Sequence, residues 1–395
     1  MWTPPAPARA RTGRRVLLLF EPPDGGVAAH VAQLARGLPA HGWDVTVAGP
    51  PVSATRTGLE DDGLRYVGLG SLRRGYGTPA ADARSLRAIR ALLRGGVFDV
   101  VHCHSSKAGL LGRLAAGSPS APPVVYSPHC FGFVGDVSRR RRELSLRIER
   151  TLARRTRAVI CVSEAEAQQA REQRIGAPGL LHRVDNGVST AEAGPADPEL
   201  LEFRGDGLLV GAVTALREQK RVDVLLDSAH AVLDAIPDAR IAIVGDGPLR
   251  GELTDRARRA GLLAGGRVRF FRFAGSSVAY LRALDVYVLP SAWEAMPIGA
   301  LEALAAGVPQ VASNVDGLDQ IVTAETGILV TPKNPAELSR ALIALLSDGA
   351  RRERAAGASR RRHALRFEAG RMVAETSDVY DHCLRERAPI ELQAA

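Results

Sequence analysis

Residues 286–313 read VYVLPSAWEAMPIGALEALAAGVPQVAS and contain a strand, a helix and a second strand in succession. Val286–Leu289 is apolar throughout, as a strand buried on both faces must be. Pro297 suits the first turn of a helix, where no backbone N–H is needed, and this helix is predicted to end at Ala306. Val308–Ala312 gives the next strand. This order of elements predicts one unit of a parallel α/β sheet.

The same alternation continues in both directions along the chain. It is interrupted once, over residues 186–206, where Gly, Pro and small residues give linker chemistry. Two such arrays predict two Rossmann-like lobes, and because ligands bind at the carboxyl ends of such strands, the lobes are expected to face a shared cleft. The predicted strands are 16–20, 45–48, 97–103, 124–127, 158–162, 208–213, 241–244, 268–271, 286–289 and 308–312. The predicted helices include 27–40, 222–233, 249–260, 297–306, 336–347 and an amphipathic helix over 367–384.

The sequence also predicts how the chain divides into domains. The predicted boundaries are a disordered basic leader over 1–15, an N-terminal lobe over 16–190, a linker over 191–205, a C-terminal lobe over 206–365 and a final helix over 366–388.

Composition limits the classes of protein that this chain can be. Of its 395 residues, 46% are apolar and 24% are charged, which fits a globular protein and excludes a disordered one. No apolar run approaches the roughly 18 residues that span a bilayer. The four cysteines have no C-x-x-C spacing, so the sequence predicts neither a zinc ribbon nor a thioredoxin-type site, and a reduced, cytoplasmic chain is expected.

Positive charge is concentrated in the first half of the chain. Residues 1–195 contain 27 Lys and Arg and 16 Asp and Glu, whereas residues 196–395 contain 25 and 27. A basic half is typical of proteins that bind nucleic acid, an anionic membrane surface or an anionic ligand. Nucleic acid is disfavoured as a partner because only 5% of the residues are aromatic and no nucleic-acid-binding motif occurs.

Two glutamates flank the start of the helix predicted within residues 286–313. Glu294 and Glu302 are eight residues apart, which corresponds to a rise of about 12 Å along a helix. That separation is too large for a close catalytic pair of carboxylates, but it suits the two ends of one extended ligand. Between them lies a helix N-terminus, which favours an anion. An acid, an anion site and a second acid fit a sugar, a diphosphate and a ribose in a row; the alternative is a surface Glu followed by an ordinary helical Glu.

Further candidate positions lie at the ends of predicted strands. Lys220 is one of only three lysines beside 49 arginines, and a compact ammonium suits a diphosphate; the alternative is a solvated loop lysine. Gly25 and Gly26 follow the first strand, where glycine lets backbone approach a ligand; the alternative is an ordinary turn. His102 and His104 share one strand face, but no third ligand is apparent, so no metal site is predicted.

The segment EAMPIGALEALAAGVPQV, residues 294–311, resembles the E-x7-E segment of retaining GT-B glycosyltransferases, glycosyltransferase family 4 (glycosyl transferases group 1). The resemblance extends over about 16–384. Seven other segments agree with the family in order: PDGGVAAHVAQLARGL (23–38), DVVHCHSSKAGLLGRLAA (99–116), VVYSPHCF (124–131), ICVSEAEAQQA (160–170), VDNGV (184–188), LREQKRVDVLLDSA (216–229) and IAIVGDGPLR (241–250).

The resemblance implies a GT-B fold and a donor-binding role for the E-x7-E segment. Glu302 would bind the ribose hydroxyls of a nucleotide, and Glu294 would lie beside the transferred sugar, at its 3-hydroxyl. Backbone N–H groups around Met296 and Ile298, on either side of Pro297, would face the sugar and the phosphate. The final helix would cross back to the N-terminal lobe.

The resemblance also implies roles for the strand-end residues. Lys220 would stabilise the diphosphate leaving group, and His129 would contact the donor sugar or support its transition state. The Gly25–Gly26 loop would approach the donor phosphate and the acceptor. The family usually has Arg five residues before the lysine, where this chain has Ala215, and Arg217 is expected to substitute for it.

The activity implied is a retaining, metal-independent transfer of a sugar from a nucleotide-diphosphate sugar, with UDP favoured and GDP next. The acceptor would be a glycan, a lipid-linked glycan or a secondary metabolite, and no cofactor beyond the donor and no side-chain general base are expected. Three alternatives stay open: a nucleotide-sugar epimerase, a basic scaffold, and a noncatalytic partner subunit. The departures from the family pattern at Ala215, Ala295 and Gln320 are what lend weight to the noncatalytic partner subunit.

Four consecutive arginines, Arg139–Arg142, begin a predicted basic helix with Leu144, Ile148 and Leu152 on one side. Such a helix either packs on the core with its arginines in solvent or contacts an anionic membrane surface. The expected location is accordingly cytoplasmic, either free or peripheral on the inner face of the membrane.

Overall fold

A computed structural model of the chain describes residues 13–70, 72, 79–118, 121–190 and 194–385. The predicted leader therefore lies mostly outside the described residues, as do the first three residues of the predicted linker and the last three of the predicted final helix. The chain divides into two compact units. Unit 1 consists of Met1–Pro128, Arg150–Ile160 and Val373–Ala395, and unit 2 of His129–Glu149 and Cys161–Met372.

Unit 1 is built on parallel strands in the order β3-β2-β1-β4-β5-β6. The strands are β1 (Arg14–Phe20), β2 (Trp43–Gly49), β3 (Arg65–Gly68), β4 (Val100–His104), β5 (Val124–Ser127) and β6 (Ala158–Cys161). They alternate with α1 (Gly26–Gly37), α2 (Ala54–Asp61), α3 (Pro79–Gly95) and α4 (Ser106–Ala115). Residues Val16–Phe20 of β1 are fully buried, as expected for a central strand of a parallel sheet.

The last helix supplies part of the core of unit 1. Helix α15 (Ala369–Arg385) places Tyr380, which is fully buried, with its hydroxyl 2.6 Å from His102 Nδ1. Trp43 Nε1 donates to Ser377 Oγ at 2.9 Å. Burial lowers the pKa of His102 well below its usual value, so this imidazole is neutral in the fold. It is a core residue that is hydrogen-bonded on both ring nitrogens, the second to Ser127 Oγ at 2.8 Å.

Unit 2 contains a second parallel sheet in the order β10-β9-β8-β11-β12-β13. Its strands are β8 (Leu208–Val213), β9 (Ala239–Val244), β10 (Val268–Phe271), β11 (Val286–Leu289), β12 (Gln310–Ser313) and β13 (Gly327–Val330). The helices that alternate with them are α8 (Val222–Ala235), α9 (Arg250–Arg259), α10 (Ser277–Ala283), α11 (Ile298–Ala306), α12 (Leu318–Ile321), α13 (Pro335–Leu346) and α14 (Gly349–Arg362). Buried side chains of α8 and α13 pack with β8, β9 and β11 in one apolar core. Four further elements precede this sheet in the chain: α5 (Arg139–Ala153), α6 (Glu164–Glu172), β7 (Leu181–Arg183) and α7 (Pro198–Arg204).

Two parallel α/β sheets confirm the predicted fold class, and several strands have the predicted bounds. Other bounds differ for physical reasons. Strand β4 begins at Val100 because Val97 is 68% exposed, and β12 begins at Gln310, one residue after Pro309, which has no N–H for the ladder. Two strands at the sheet edges were not predicted: β3, whose residues are exposed or half-buried, and β13, an apolar run of only four residues.

Helix α5 differs in detail from the predicted amphipathic pattern. Leu152 is buried and Ile148 is half-buried, but Leu144 is 56% exposed. The inward face instead carries Ser145 and Glu149 together with Leu152. The four arginines at its start are exposed. Among the described residues, no helix is both long and apolar enough to cross a membrane. Contact with an anionic membrane surface stays a prediction.

A carboxylate shared by two arginines lies within unit 2, after β7. Asp185 has an 8% exposed side chain and accepts from Arg183 Nε at 2.7 Å and Nη2 at 2.9 Å, and from Arg366 Nη2 at 2.9 Å. Burial alone would raise the pKa of Asp185, but the hydrogen bonds from Arg183 and Arg366 outweigh it and hold the pKa below its ordinary value. The ionised carboxylate therefore stabilises the fold.

Asp185→Asn is expected to lower the free energy of unfolding at neutral pH by about 2 kcal/mol, because two arginines lose their shared anion. A folded pKa below the unfolded value of about 3.9 means that this contribution is complete above that pH and is lost as pH falls through the folded pKa. Urea unfolding across pH would therefore show the difference between the two proteins shrinking below about pH 4. An equal difference at every pH would contradict this role.

Candidate active site

An ion pair joins the two strongest sequence candidates. Lys220 ends a 3₁₀ turn, Glu218–Lys220, that follows β8, and Glu294 lies in the loop between β11 and α11. Lys220 Nζ lies 2.5 Å from Glu294 Oε1, and the two side chains are 18% and 6% exposed. Because both follow the carboxyl ends of neighbouring parallel strands, the topology brings them to one edge of the sheet.

The Glu294 carboxylate has two further hydrogen-bond donors. Ser291 Oγ donates to Oε1 at 2.7 Å, and Gln219 Nε2 donates to Oε2 at 3.3 Å and to the Trp293 carbonyl at 2.8 Å. Ala292 N–H donates in turn to the Gln219 carbonyl at 2.8 Å. Glu294 is therefore fixed in one orientation. Sequence reasoning did not single out Ser291 or Gln219, although both lie within three residues of a predicted site residue.

Glu302 lies on α11, one turn inside the helix, and is half-buried. The buried Tyr287 of β11 lies within electrostatic reach of both glutamates. Burial raises the pKa of its phenol well above the usual value, and the charges of Glu294 and Glu302 raise it further. The expected 12 Å helical rise between the two glutamates is wrong, because α11 begins only at Ile298 and Glu294 lies in the preceding loop.

The segment Met296–Ile298 leads into α11. Pro297 is the N-cap, with φ −70° and ψ 124°, rather than a residue of the first turn, and Ile298 begins the helix. The Met296 carbonyl accepts from Asn186 Nδ2 at 2.9 Å, and Asn186 is 3% exposed. The amide thus fixes the approach to the helix N-terminus, whose backbone N–H groups favour an anion. Asn186 was not predicted as a site residue, although it stands in the motif VDNGV.

Gly317 packs closely against the backbone that leads into this segment. Gly317 has φ +80°, and a Cβ added there would lie 1.9 Å from the Ala295 carbonyl oxygen and 3.1 Å from the Met296 nitrogen. Only glycine allows this close approach of two backbone segments. Sequence reasoning did not identify Gly317, because its role depends on a contact between loops 22 residues apart in the chain.

Arg217 precedes the turn that carries Lys220. Its backbone is extended, its carbonyl accepts from Lys220 N–H at 3.0 Å, and its own N–H donates to the Ala215 carbonyl at 3.0 Å. Leu216 between them donates to the Asp246 carbonyl at 2.9 Å. The backbone on both sides of Arg217 is thus fixed. That its guanidinium replaces the arginine that the family usually has at position 215 stays a prediction.

His129 and Cys130 form a turn with unusual backbone in unit 2. Their φ angles are 51° and 89°, and Cys130 N–H donates to Glu166 Oε1 at 2.6 Å. Burial raises the pKa of the Cys130 thiol, the carboxylates of Glu166 and Glu294 raise it further, and Lys220 opposes them. The turn therefore lies within electrostatic reach of the Lys220–Glu294 pair.

The first Gly-rich loop belongs to unit 1. Gly25 has φ 83° and ψ −165° and is the N-cap of α1, and Gly26 begins that helix. The Gly25 carbonyl accepts from Ala29 N–H at 3.0 Å, which closes the first turn. No acidic side chain lies in that turn, although Asp24 immediately precedes the N-cap. Contact of this loop with a donor phosphate stays a prediction.

Comparisons with known proteins give the family. Residues 25–187 match the model of the glycosyl transferase 4-like domain, and residues 196–362 match that of glycosyl transferases group 1. The phosphatidyl-myo-inositol mannosyltransferase of Mycobacterium leprae is 32% identical to the chain, over 85% of the chain and 87% of that protein. The UDP-Gal:alpha-D-GlcNAc-diphosphoundecaprenol alpha-1,3-galactosyltransferase of Escherichia coli is 29% identical, over 75% and 78%.

Solved structures show the same fold. The crystal structure of Anabaena HepE in complex with UDP and glucose superposes with a TM-score of 0.80 at 20% identity, and covers 93% of this chain and 100% of that one. Both halves of the chain thus match glycosyltransferase domains, and a relative of more than 30% identity matches over most of its length. The chain is a glycosyltransferase with the GT-B fold and belongs to glycosyltransferase family 4.

Proposed function

We propose that the protein transfers a sugar from a UDP-sugar to a lipid-linked or glycan acceptor, with retention of anomeric configuration and without a metal ion. The ion pair of half-buried Lys220 with buried Glu294, in the loop that leads into α11, is the observation that carries the proposal. The names of the Escherichia coli and Mycobacterium leprae relatives, which act on a polyprenyl-linked sugar and a phosphoinositide, support this class of acceptor.

The residues of unit 2 fit the charge changes of such a transfer. The bond between the sugar C1 and the diphosphate oxygen breaks, and negative charge develops on the diphosphate. The Lys220 ammonium and the N–H groups at the start of α11 would stabilise that charge more strongly in the transition state than in the ground state. Glu294 would accept from a sugar hydroxyl, and Glu302 would accept from the ribose hydroxyls.

Retention follows if the acceptor attacks on the face from which the diphosphate departs. The acceptor oxygen forms its bond to C1, and its proton passes to the departing phosphate oxygen. This route requires no side-chain base. His129 would then lie beside the sugar and support the positive charge that develops on its ring.

Glu302→Ala is expected to abolish the stabilisation that a bound nucleotide gives to the wild type. A ligand at 100 times its dissociation constant stabilises a protein by about 2.7 kcal/mol, which a thermal shift detects. The measurement compares UDP, GDP, ADP and their sugar conjugates in the presence of EDTA. We expect UDP and a UDP-sugar to raise the melting temperature of the wild type, and Glu302→Ala to lose that shift.

Glu353→Ala is the matched control, because Glu353 is an exposed glutamate on helix α14 of the same unit. It should keep the full shift. A wild type that no nucleotide stabilises would refute the proposed donor, and a shift only with GDP or ADP would change its base. NMR of the product then separates retention from inversion, and a sugar that changes without any acceptor would indicate an epimerase instead.

A further inference from the structure

The turn that carries His129 is held in a conformation that ordinary residues avoid. His129 and Cys130 both have positive φ, 51° and 89°, directly after the buried strand β5. For residues other than glycine, such backbone costs roughly 1–2 kcal/mol each and persists only where the surroundings hold it. The source of that restraint determines where the His129 side chain lies.

The restraint is a buried carboxylate at the start of α6. Glu166 is 1% exposed. Cys130 N–H donates to its Oε1 at 2.6 Å, and Val162 N–H donates to its Oε2 at 2.8 Å. Ser163 Oγ caps the helix by accepting from Glu166 N–H at 3.1 Å. One carboxylate therefore ties the His129 turn to the backbone of Val162, and its two oxygens have separate donors.

The groups around this carboxylate favour its protonation close to neutral pH. Burial raises the pKa of Glu166 to about 7, the N–H groups of Val162 and Cys130 oppose the rise, and the charge of Glu149 on α5 adds to it. Burial raises the pKa values of the Cys130 and Cys161 thiols and the charge of Glu166 raises them further, so both thiols are neutral.

We propose that Glu166 is a positioning residue, whose carboxylate anchors the His129 turn and releases it on taking up a proton. A protonated carboxyl is a much weaker acceptor of backbone N–H groups than a carboxylate, because it has lost its charge and one of its oxygens carries the proton, so the two anchoring hydrogen bonds are weakened. The proposal deepens the proposed function and rests on it in one respect, namely that His129 acts on the transferred sugar. The anchor itself is a property of the fold and is measurable without substrate.

Selective ¹⁵N labelling of cysteine tests the anchor directly. The chain has four cysteines, and so four amide signals, of which Cys130→Ser identifies one by its disappearance. We expect the Cys130 amide proton to be shifted far downfield at alkaline pH and to titrate upfield with a midpoint near pH 7. Glu166→Gln should abolish that titration, and the amides of Cys103 and Cys383 in unit 1 should stay constant. A Cys130 signal that does not respond to pH in the wild type would overturn the proposal.

Turnover of a UDP-sugar tests the consequence for catalysis. Glu166→Gln is expected to lower kcat by about tenfold to a hundredfold, the usual cost of misplacing a catalytic group, while KM for the donor stays unchanged. The acid limb of the pH profile near pH 7 should be present in the wild type and absent in the variant. A purely structural role would instead lower the melting temperature and leave the shape of the profile intact.

A second substitution provides a rescue. Glycine adopts positive φ at no steric cost, so Cys130→Gly relaxes the turn that Glu166 must otherwise restrain. Cys130→Gly should therefore restore part of the kcat that Glu166→Gln loses. A Glu166→Gln enzyme with wild-type kcat and pH profile would overturn the proposal. A wild type that binds no nucleotide would instead refute the proposed function, and the amide titration would still decide the anchor.

Discussion

Lys220→Met is expected to lower kcat by about a thousandfold, because it removes the only ammonium seen beside the buried Glu294 carboxylate in the described residues. Methionine keeps the unbranched side chain up to the position of Cε but lacks the terminal ammonium. Preorganised charge at a developing anion stabilises the transition state more than the bound donor, so KM should change much less than kcat. Steady-state kinetics with the UDP-sugar that stabilises the wild type would measure both.

The same substitution also has a cost in stability that must be separated from the loss of catalysis. Glu294, 6% exposed, loses its cation but keeps Ser291 and Gln219 as donors, so we expect unfolding to become easier by about 2–3 kcal/mol. Lys333→Met is the matched control, since Lys333 is exposed and lies in the same unit. It should change neither quantity. A Lys220→Met enzyme that keeps a tenth of its turnover while folded would contradict the role of the ammonium.

The position of Lys220 at the ligand edge of a sheet could be predicted from the sequence, because two independent observations pointed to this residue. A lysine is conspicuous in a chain that otherwise uses arginine, and its position after a strand placed it at the ligand edge of a parallel sheet. Glu294 was predicted from its spacing to Glu302 together with the family resemblance. Its ion pair with Lys220 was not predicted and is seen only in the structure, where the two residues follow neighbouring strands. Charged groups at strand ends are visible in a sequence because the buried parallel strands that precede them form uninterrupted apolar runs.

The residues that hold the site in place were much harder to predict. Asn186 donates to a carbonyl 110 residues away, and Glu166 accepts from an N–H 36 residues before it. These contacts are made to backbone atoms, which every residue has, so the sequence carries no sign of the partner. The edge strand β3 was missed for a different reason, since its residues are exposed or half-buried and it lacks the apolar run that marks a central strand.

Gly317→Ala is expected to be the most damaging small substitution near Met296. The added Cβ would lie 1.9 Å from the Ala295 carbonyl oxygen, and the atoms in the way are backbone, so no side chain can turn aside. Positive φ and overpacking together should lower the free energy of unfolding by about 2–5 kcal/mol. Movement of Met296 would also break its hydrogen bond to Asn186, so the variant should lose the nucleotide-induced thermal shift even where it folds.

Gly275→Ala separates the two causes. Gly275 has the same φ of +80° in the same unit, but a Cβ there meets no atom within 4 Å. Gly275→Ala should therefore lose only the stability that positive φ costs an alanine, about 1–2 kcal/mol, and should keep the thermal shift that a nucleotide induces. The difference between the two variants measures the contact of Gly317 with the Ala295–Met296 backbone. If both lose equal stability and both still bind nucleotide, that contact does not shape the approach to α11, and the donor phosphate must be held by other groups.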